Sequence, residues 1–133
     1  MIDIIKESCV QTLDEALKAE KNGANRIELC SRLDLDGLTP NRELIIKVSS
    51  RIKIPIKVMI RPRVGDFNYT DQEINQMKDD ILFCKSLCVF GVVFGMLNKK
   101  KSINIEATRT LTDIADGLDV TFHKAIDRVV SIF

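Results

Sequence analysis

The sequence predicts an α/β fold, a partial TIM (β/α)8-type barrel of about five parallel strands with four to five helices. Three observations carry this. Segments of period two, or wholly apolar, alternate with segments of helical period at strand spacings of about 20 to 35 residues, the mark of repeated βαβ units with right-handed crossovers. No Gly-rich phosphate loop follows the first strand, so the doubly wound nucleotide folds lose their usual support. Polar residues recur at the C-terminal ends of successive strands, where barrel enzymes place their chemistry.

Taken in order, Ile4–Val10 reads as the first strand. Thr12-Leu13-Asp14-Glu15 has the form of a capping box, in which a hydroxyl and a carboxylate satisfy the orphan amides of a helix start. That helix closes near Gly23. Arg26–Cys30 is the second strand, and Asp36-Gly37 marks a turn in the loop Leu33–Thr39. Thr39-Pro40 supplies a cap and a first-turn proline for the next helix, whose buried stripe is Leu44, Ile45, Val48 and Ile52. Pro55–Tyr69 holds the central strand. Lys57, Met59, Arg61 and Arg63 share one parity, Val58 and Ile60 the other, and Pro62 with Gly65-Asp66 ends the strand and turns the chain.

Thr70–Glu73 is a second capping box, and its helix buries Ile74, Met77, Ile81, Cys84 and Cys88. Gly91–Met96 is a strand covered on both faces. A further helix carries Ala107, Leu111, Ile114 and Ala115 and closes at Asp116-Gly117. Asp119–His123 is the fifth strand, and Lys124–Phe133 is left unassigned.

With 133 residues there is room for one domain, spanning 1–133. Lys plus Arg number 20 against 19 Asp plus Glu, for a net charge of +1. Nucleic acid and membrane are therefore excluded as main partners, since both are met with concentrated positive charge. Lys99-Lys100-Lys101 reads as a solvated loop. The first ten residues lack a signal peptide's pattern and no apolar run is long enough to span a membrane, so the expected location is the cytoplasm, with the nucleus as a second compartment. There, cysteines at 9, 30, 84 and 88 are reduced thiols.

Strand parity collects the candidate site. Glu7 and Cys9 share a face of the first strand, Glu28 and Cys30 a face of the second, and Thr121 and His123 a face of the fifth. All point towards a barrel interior and meet Arg61 and Arg63 at its mouth. Such a set is costly to desolvate unless paired or used.

The runs RIELCSRLDLDGLTP, MIRPRVGDFNY, GVVFG and TFHKAID, in this order and spacing, resemble the CutC copper homeostasis protein family over essentially the whole chain. The resemblance implies a (β/α)8-type barrel, a cytoplasmic protein that handles copper, and Cu(I) binding through Cys9 and Cys30. It also implies about three further βα units beyond Phe133, making this chain the N-terminal part of a barrel that needs ~200 to 250 residues. Local departures are Val64 for a usual glycine, Lys124 for arginine, Ile126 for phenylalanine, and Cys88 and Phe90 for the Gly and Asp of a Gly-Ala-Asp-Gly turn.

Each group has a structural alternative. Cys84 and Cys88 fit core packing better than a metal site. Cys9 and Cys30 lie at matching depth on neighbouring strands, where soft thiolates suit Cu(I), or they are buried hydrophobes. Arg61 and Arg63 either clamp a small anionic ligand, with Asp66 and Asp127 nearby, or pair with Glu7 and Glu28 in an interior lattice. Asp66 also fits as the cap of its own turn, and His123 as a structural histidine. Three functions stand: intracellular Cu(I) binding and handling; an enzyme with an anionic substrate, in which Glu7, Glu28 or His123 moves a proton; or an inactive short form. Open outer strands and the apolar Val129–Phe133 predict self-association.

Overall fold

Residues 3–130 are described by the computed structural model. Within them five four-residue strands alternate with four α-helices: β1 (Glu7–Val10), α1 (Leu13–Lys21), β2 (Arg26–Leu29), α2 (Arg42–Arg51), β3 (Ile56–Met59), α3 (Asp71–Ser86), β4 (Gly91–Phe94), α4 (Ile105–Ile114) and β5 (Asp119–Phe122). Short 3-10 turns occupy Leu33–Leu35 and Lys124–Arg128. Every strand pairing is parallel and the spatial order is β1-β2-β3-β4-β5, the wall of a partial (β/α)8-type barrel. β1 and β5 are the outer strands.

The main core lies between this wall and the helices. Ile27, Leu29, Val58, Ile60, Val92 and Phe94, all on one parity of their strands, pack against Ala16, Val48, Met77, Ile81 and Leu111 of α1 to α4. The opposite, concave face carries a small apolar cluster of Cys30, Met59 and Val93. A third cluster, centred on Phe67 with Leu97 and Ala125, closes the C-terminal end of β3 to β5. β4 and β5 approach so closely that a Cβ on Gly91 would lie 2.6 Å from the Asp119 carbonyl oxygen, which fixes glycine there.

Several boundaries differ from the sequence reading. β1 begins at Glu7, and Ile4 and Ile5 are exposed, because the register starts with Glu7 opposite Arg26 and no β2 residue is left to pair with them. In the first capping box Thr12 accepts from the Glu15 amide, but the Glu15 carboxylate accepts from Gln11 instead of Thr12. Thr39 does not cap α2. Its hydroxyl accepts the Arg61 amide at 2.8 Å and its own amide donates to the Arg61 carbonyl, so the cap passes to Asn41. Thr70 and Glu73 form the full capping box of α3.

Cys88 is not on the buried stripe. It follows the helix end at φ +56°, exposed, in the left-handed conformation that favours glycine, so the stripe stops at Cys84. Lys99 to Lys101 form an exposed turn. Of the apolar tail, Val130 is exposed and Ser131 to Phe133 lie outside the described residues.

Candidate functional site

The concave face opens at the C-terminal ends of the strands into a cavity of about 300 Å³. β1 and β2 supply Cys9, Glu28 and Cys30 to one wall; Arg61, Phe67, His123 and Lys124 form the other, with Met59, Val93 and Thr121 beneath. The side chains reach it because backbone bonding outlasts the formal ladder. The amides of Cys30, Ile60 and His123 donate to the carbonyls of Val10, Val93 and Phe94, holding each chain extended one residue past its strand.

On the first wall the Cys9 thiol donates to Glu28 Oε2 at 3.5 Å. Burial, reinforced by the Glu28 carboxylate, pushes the Cys9 thiol up to about 11 and the Cys30 thiol to about 12. Burial likewise raises Glu28, against the lowering effect of the Cys9 hydrogen bond. Both thiols are therefore protonated at neutral pH. Among the described residues no three or more His, Cys, Asp and Glu side chains converge as a ligand set, so a soft cation here has two sulfur donors. Two thiols in one cavity wall fit such a cation; the hard Glu28 carboxylate suits it poorly.

Glu7 lies on the same face but lower, where it accepts from Arg26 Nε at 3.1 Å and does not line the cavity. Below the cavity Lys57, only 5% exposed, donates to Thr121 Oγ1 at 2.8 Å and pairs with Asp119 at 3.0 Å. Lys57 shares the parity of Met59 and Arg61, and that was the signal for its inward position.

The second wall is built around Arg61. Its Nη1 donates to the carbonyls of Leu35 at 3.0 Å and Gly37 at 3.3 Å, its Nη2 to Gly65 at 3.5 Å, and its guanidinium stands 5.1 Å over the Phe67 ring. No carboxylate among the described residues forms an ion pair with it. The expected lattice of Arg61 and Arg63 with Glu7 and Glu28 is thus not what forms. Arg63 leaves the mouth altogether: it bonds Glu73 and Asp66, donates to the carbonyls of Val64, Asp66 and Asn68, and covers Tyr69 at 5.0 Å. Asp66 accepts the Asn68 amide and the Arg63 guanidinium, the turn-capping role, and both hold its carboxyl below the usual range. Asp127 is exposed on the turn after β5 and does not reach the cavity.

His123 directly follows β5 and caps the turn after it, its Nδ1 accepting the Ala125 amide at 3.1 Å. Burial and the Arg61 charge lower it to about 4, so the ring is neutral. The ring packs 5.1 Å from Phe67 and against Gly95, where a Cβ would come within 2.7 Å of it. Lys124, next in sequence, pairs with Asp36 at 2.9 Å and ties the β2–α2 loop to β5 across the rim. Thr39, Asp36, Phe67 and Lys124 were not singled out from sequence as site residues; all lie in loops, where parity carries no information.

A half-barrel wall with a cavity of mixed polar and apolar lining at its C-terminal mouth defines the general class, a barrel-type α/β protein. Comparison with known proteins narrows this. The CutC family model matches residues 4–132, and the chain belongs to the CutC family. It is 45% identical over 125 residues to the copper homeostasis protein cutC homolog of Homo sapiens, covering 94% of this chain and 46% of the human protein. It is 43% identical over 121 residues to the family protein CutC of Pasteurella multocida, covering 91% and 50% of the two chains. The crystal structure of the putative copper homeostasis protein CutC from Streptococcus agalactiae superposes with a TM-score of 0.89 at 34% identity, over 96% of this chain and 62% of that one. The chain spans about half the length of the curated relatives it matches. No helix among the described residues is long and apolar enough to cross a membrane.

Proposed function

We propose that this chain serves copper homeostasis by taking up Cu(I) through Cys9 and Cys30 at the mouth of the partial barrel. The observation that carries this reading is that both thiols line one cavity from neighbouring chains, Cys9 directly opposite Glu28 and Cys30 two residues after Glu28, just past the end of β2. Soft sulfur donors select Cu(I) over hard cations. Relatives named as copper homeostasis proteins support the same reading.

The chemistry follows from the protonation states. Uptake requires each thiol to lose its proton, and with ordinary values raised to about 11 and about 12 that loss opposes binding at neutral pH. Glu28, hydrogen-bonded to the Cys9 thiol, is placed to accept that proton as the metal arrives. Apparent affinity therefore rises with pH, by about tenfold per unit for each proton released. All four cysteines are free, in keeping with a reducing compartment, for which we propose the cytoplasm.

Competition of the protein against a Cu(I) chelator tests the reading. One equivalent is expected per chain, with affinity climbing from about pH 6 to about pH 8 as the thiols give up their protons. The Cys9→Ser, Cys30→Ser double change is expected to abolish uptake, whereas Cys84→Ala leaves it intact. Unchanged affinity in the double variant sinks the site.

A further inference from the structure

The described residues leave three buried side-chain polar atoms without a partner: Arg61 Nε, Tyr69 Oη and His123 Nε2. All belong to residues gathered at Phe67. Arg61 and His123 each stand 5.1 Å from its ring, and Tyr69 packs in the same cluster. Buried polar groups are nearly always satisfied, because an orphan keeps its desolvation penalty without a bond to offset it. Two of the three, on Arg61 and His123, belong to residues that line one cavity, and these call for an explanation in terms of that cavity.

Tyr69, whose hydroxyl both donates and accepts and which Arg61 approaches, does not line the cavity; the two orphans on residues that do line it are both donors. Arg61 Nε carries a hydrogen and only donates. His123 has its Nδ1 occupied as an acceptor by the Ala125 amide, so the neutral ring carries its proton on Nε2, which is again a donor. Two donors on the cavity wall thus lack an acceptor.

Charge points the same way. Arg61 is 95% buried, its exposure being 5%, and no carboxylate among the described residues pairs with it. The rim carboxylate Asp36 pairs with Lys124, and the charges of Arg61 and Arg128 act on it more weakly. Glu28 belongs to the other wall, where Cys9, Glu7 and Lys57 are the groups that act on it. A buried cation without an ion-pair partner is unfavourable. Three loop carbonyls fix the guanidinium in place without neutralising it, so it is held ready for a ligand.

We propose that the Arg61–His123 wall of the cavity is a binding site for a small oxyanion, the carboxylate or phosphate group of a metabolite small enough for about 300 Å³, received by Arg61 Nε–H and His123 Nε2–H. This site is separate from the thiols of Cys9 and Cys30 and does not depend on copper. Arg63, the other guanidinium of the motif, takes no part, since its donors are already used.

The test is a titration of copper-free protein with inorganic phosphate and, in parallel, with acetate, followed by the NMR signals of the Arg61 side-chain Nε–H and the His123 ring. His123 is the only histidine among the 133 residues, which simplifies assignment. The expected result is that both signals move together and saturate with one binding constant. Response to phosphate alone assigns a phosphate ligand, response to acetate alone a carboxylate, and either supports the site. Arg61→Gln is expected to weaken binding by about tenfold or more, as loss of a charge-assisted donor does. His123→Gln, which keeps an N–H donor, should bind within a few-fold of wild type, and His123→Phe should not. If Arg61→Gln fails to fold, the wild-type signals and the His123 pair still decide. Signals of Arg61 and His123 that stay still with both anions, or shifts confined to Lys99 to Lys101, overturn the proposal and leave solvent as the partner of these groups.

Discussion

Gly95→Ala tests the construction of the second wall directly. A Cβ at Gly95 would lie 2.7 Å from both Cε1 and Nδ1 of His123 and 3.1 Å from the Ala125 Cβ. The ring cannot retreat freely, because Phe67 and Phe122 hold it at centroid distances of 5.1 and 6.1 Å. Forcing a methyl into such a contact costs about 1–3 kcal/mol. Displacing the ring also strips the Ala125 amide of its acceptor, a further ~1 kcal/mol or more. The expected loss is therefore about 2–4 kcal/mol, read by urea unfolding. Gly95 has no left-handed φ, so the backbone itself accepts alanine. In a His123→Ala background the same change should be near neutral, or stabilising by up to ~1 kcal/mol through the unfolded chain. A double-mutant cycle in which the two changes simply add would refute the packing argument, since coupling between touching residues is its whole content.

Other expectations rest on separate contacts. Asp119→Asn removes the ion-pair partner of the buried Lys57 ammonium and should cost about 3 kcal/mol or more, whereas Lys57→Met, which leaves a half-exposed Asp119 to solvent, should cost less; equal losses in urea unfolding would show that the pair is not what compensates Lys57. His123 is lowered from 6.5 to about 4 in the folded chain, so the unfolded chain takes up the extra proton. The stability this holds is complete above pH 6.5 and falls by about 3 kcal/mol as pH drops towards 4. Glu28 and Asp80, raised by burial, act in the opposite sense over the lower part of that range, so the quantity to measure is the difference between wild type and His123→Gln. A difference that does not change between pH 7 and pH 4 would contradict a buried neutral ring.

Much of the fold could be read from local rules. The alternation of apolar stripes with short strands, the Thr70–Glu73 capping box, and Gly23 and Gly117 at positive φ beyond α1 and α4 each follow from a few neighbouring residues. Errors fell where a residue had two offers. Thr39 has the chemistry of a cap, but a distant backbone pair on Arg61 outbids α2 for it, and nothing near Thr39 in sequence announces Arg61. Cys88 continues the helical spacing of Cys84, yet the helix ends at Ser86, two residues before it, and the turn demands a conformation that its side chain does not advertise.

The candidate site was legible for as long as the backbone stayed extended. Parity names inward side chains only while a neighbouring strand holds the chain straight, and that hold reaches one residue past β2, β3 and β5, at Cys30, Ile60 and His123. Arg61 is still within it, because Thr39 bonds both its amide and its carbonyl and extends the pairing one step more. Arg63 comes after Pro62, in a bend without strand partners, and its parity with Arg61 then means nothing. Its destination was written elsewhere in the sequence: Asp66 three residues on, and Glu73 of the capping box with one carboxylate oxygen left over after satisfying Thr70. A guanidinium with two carboxylates in local reach becomes a brace for its own loop. The one without any, Arg61, is left facing the cavity with an unspent donor, and the difference between the two arginines of one motif is set by what lies beyond the proline.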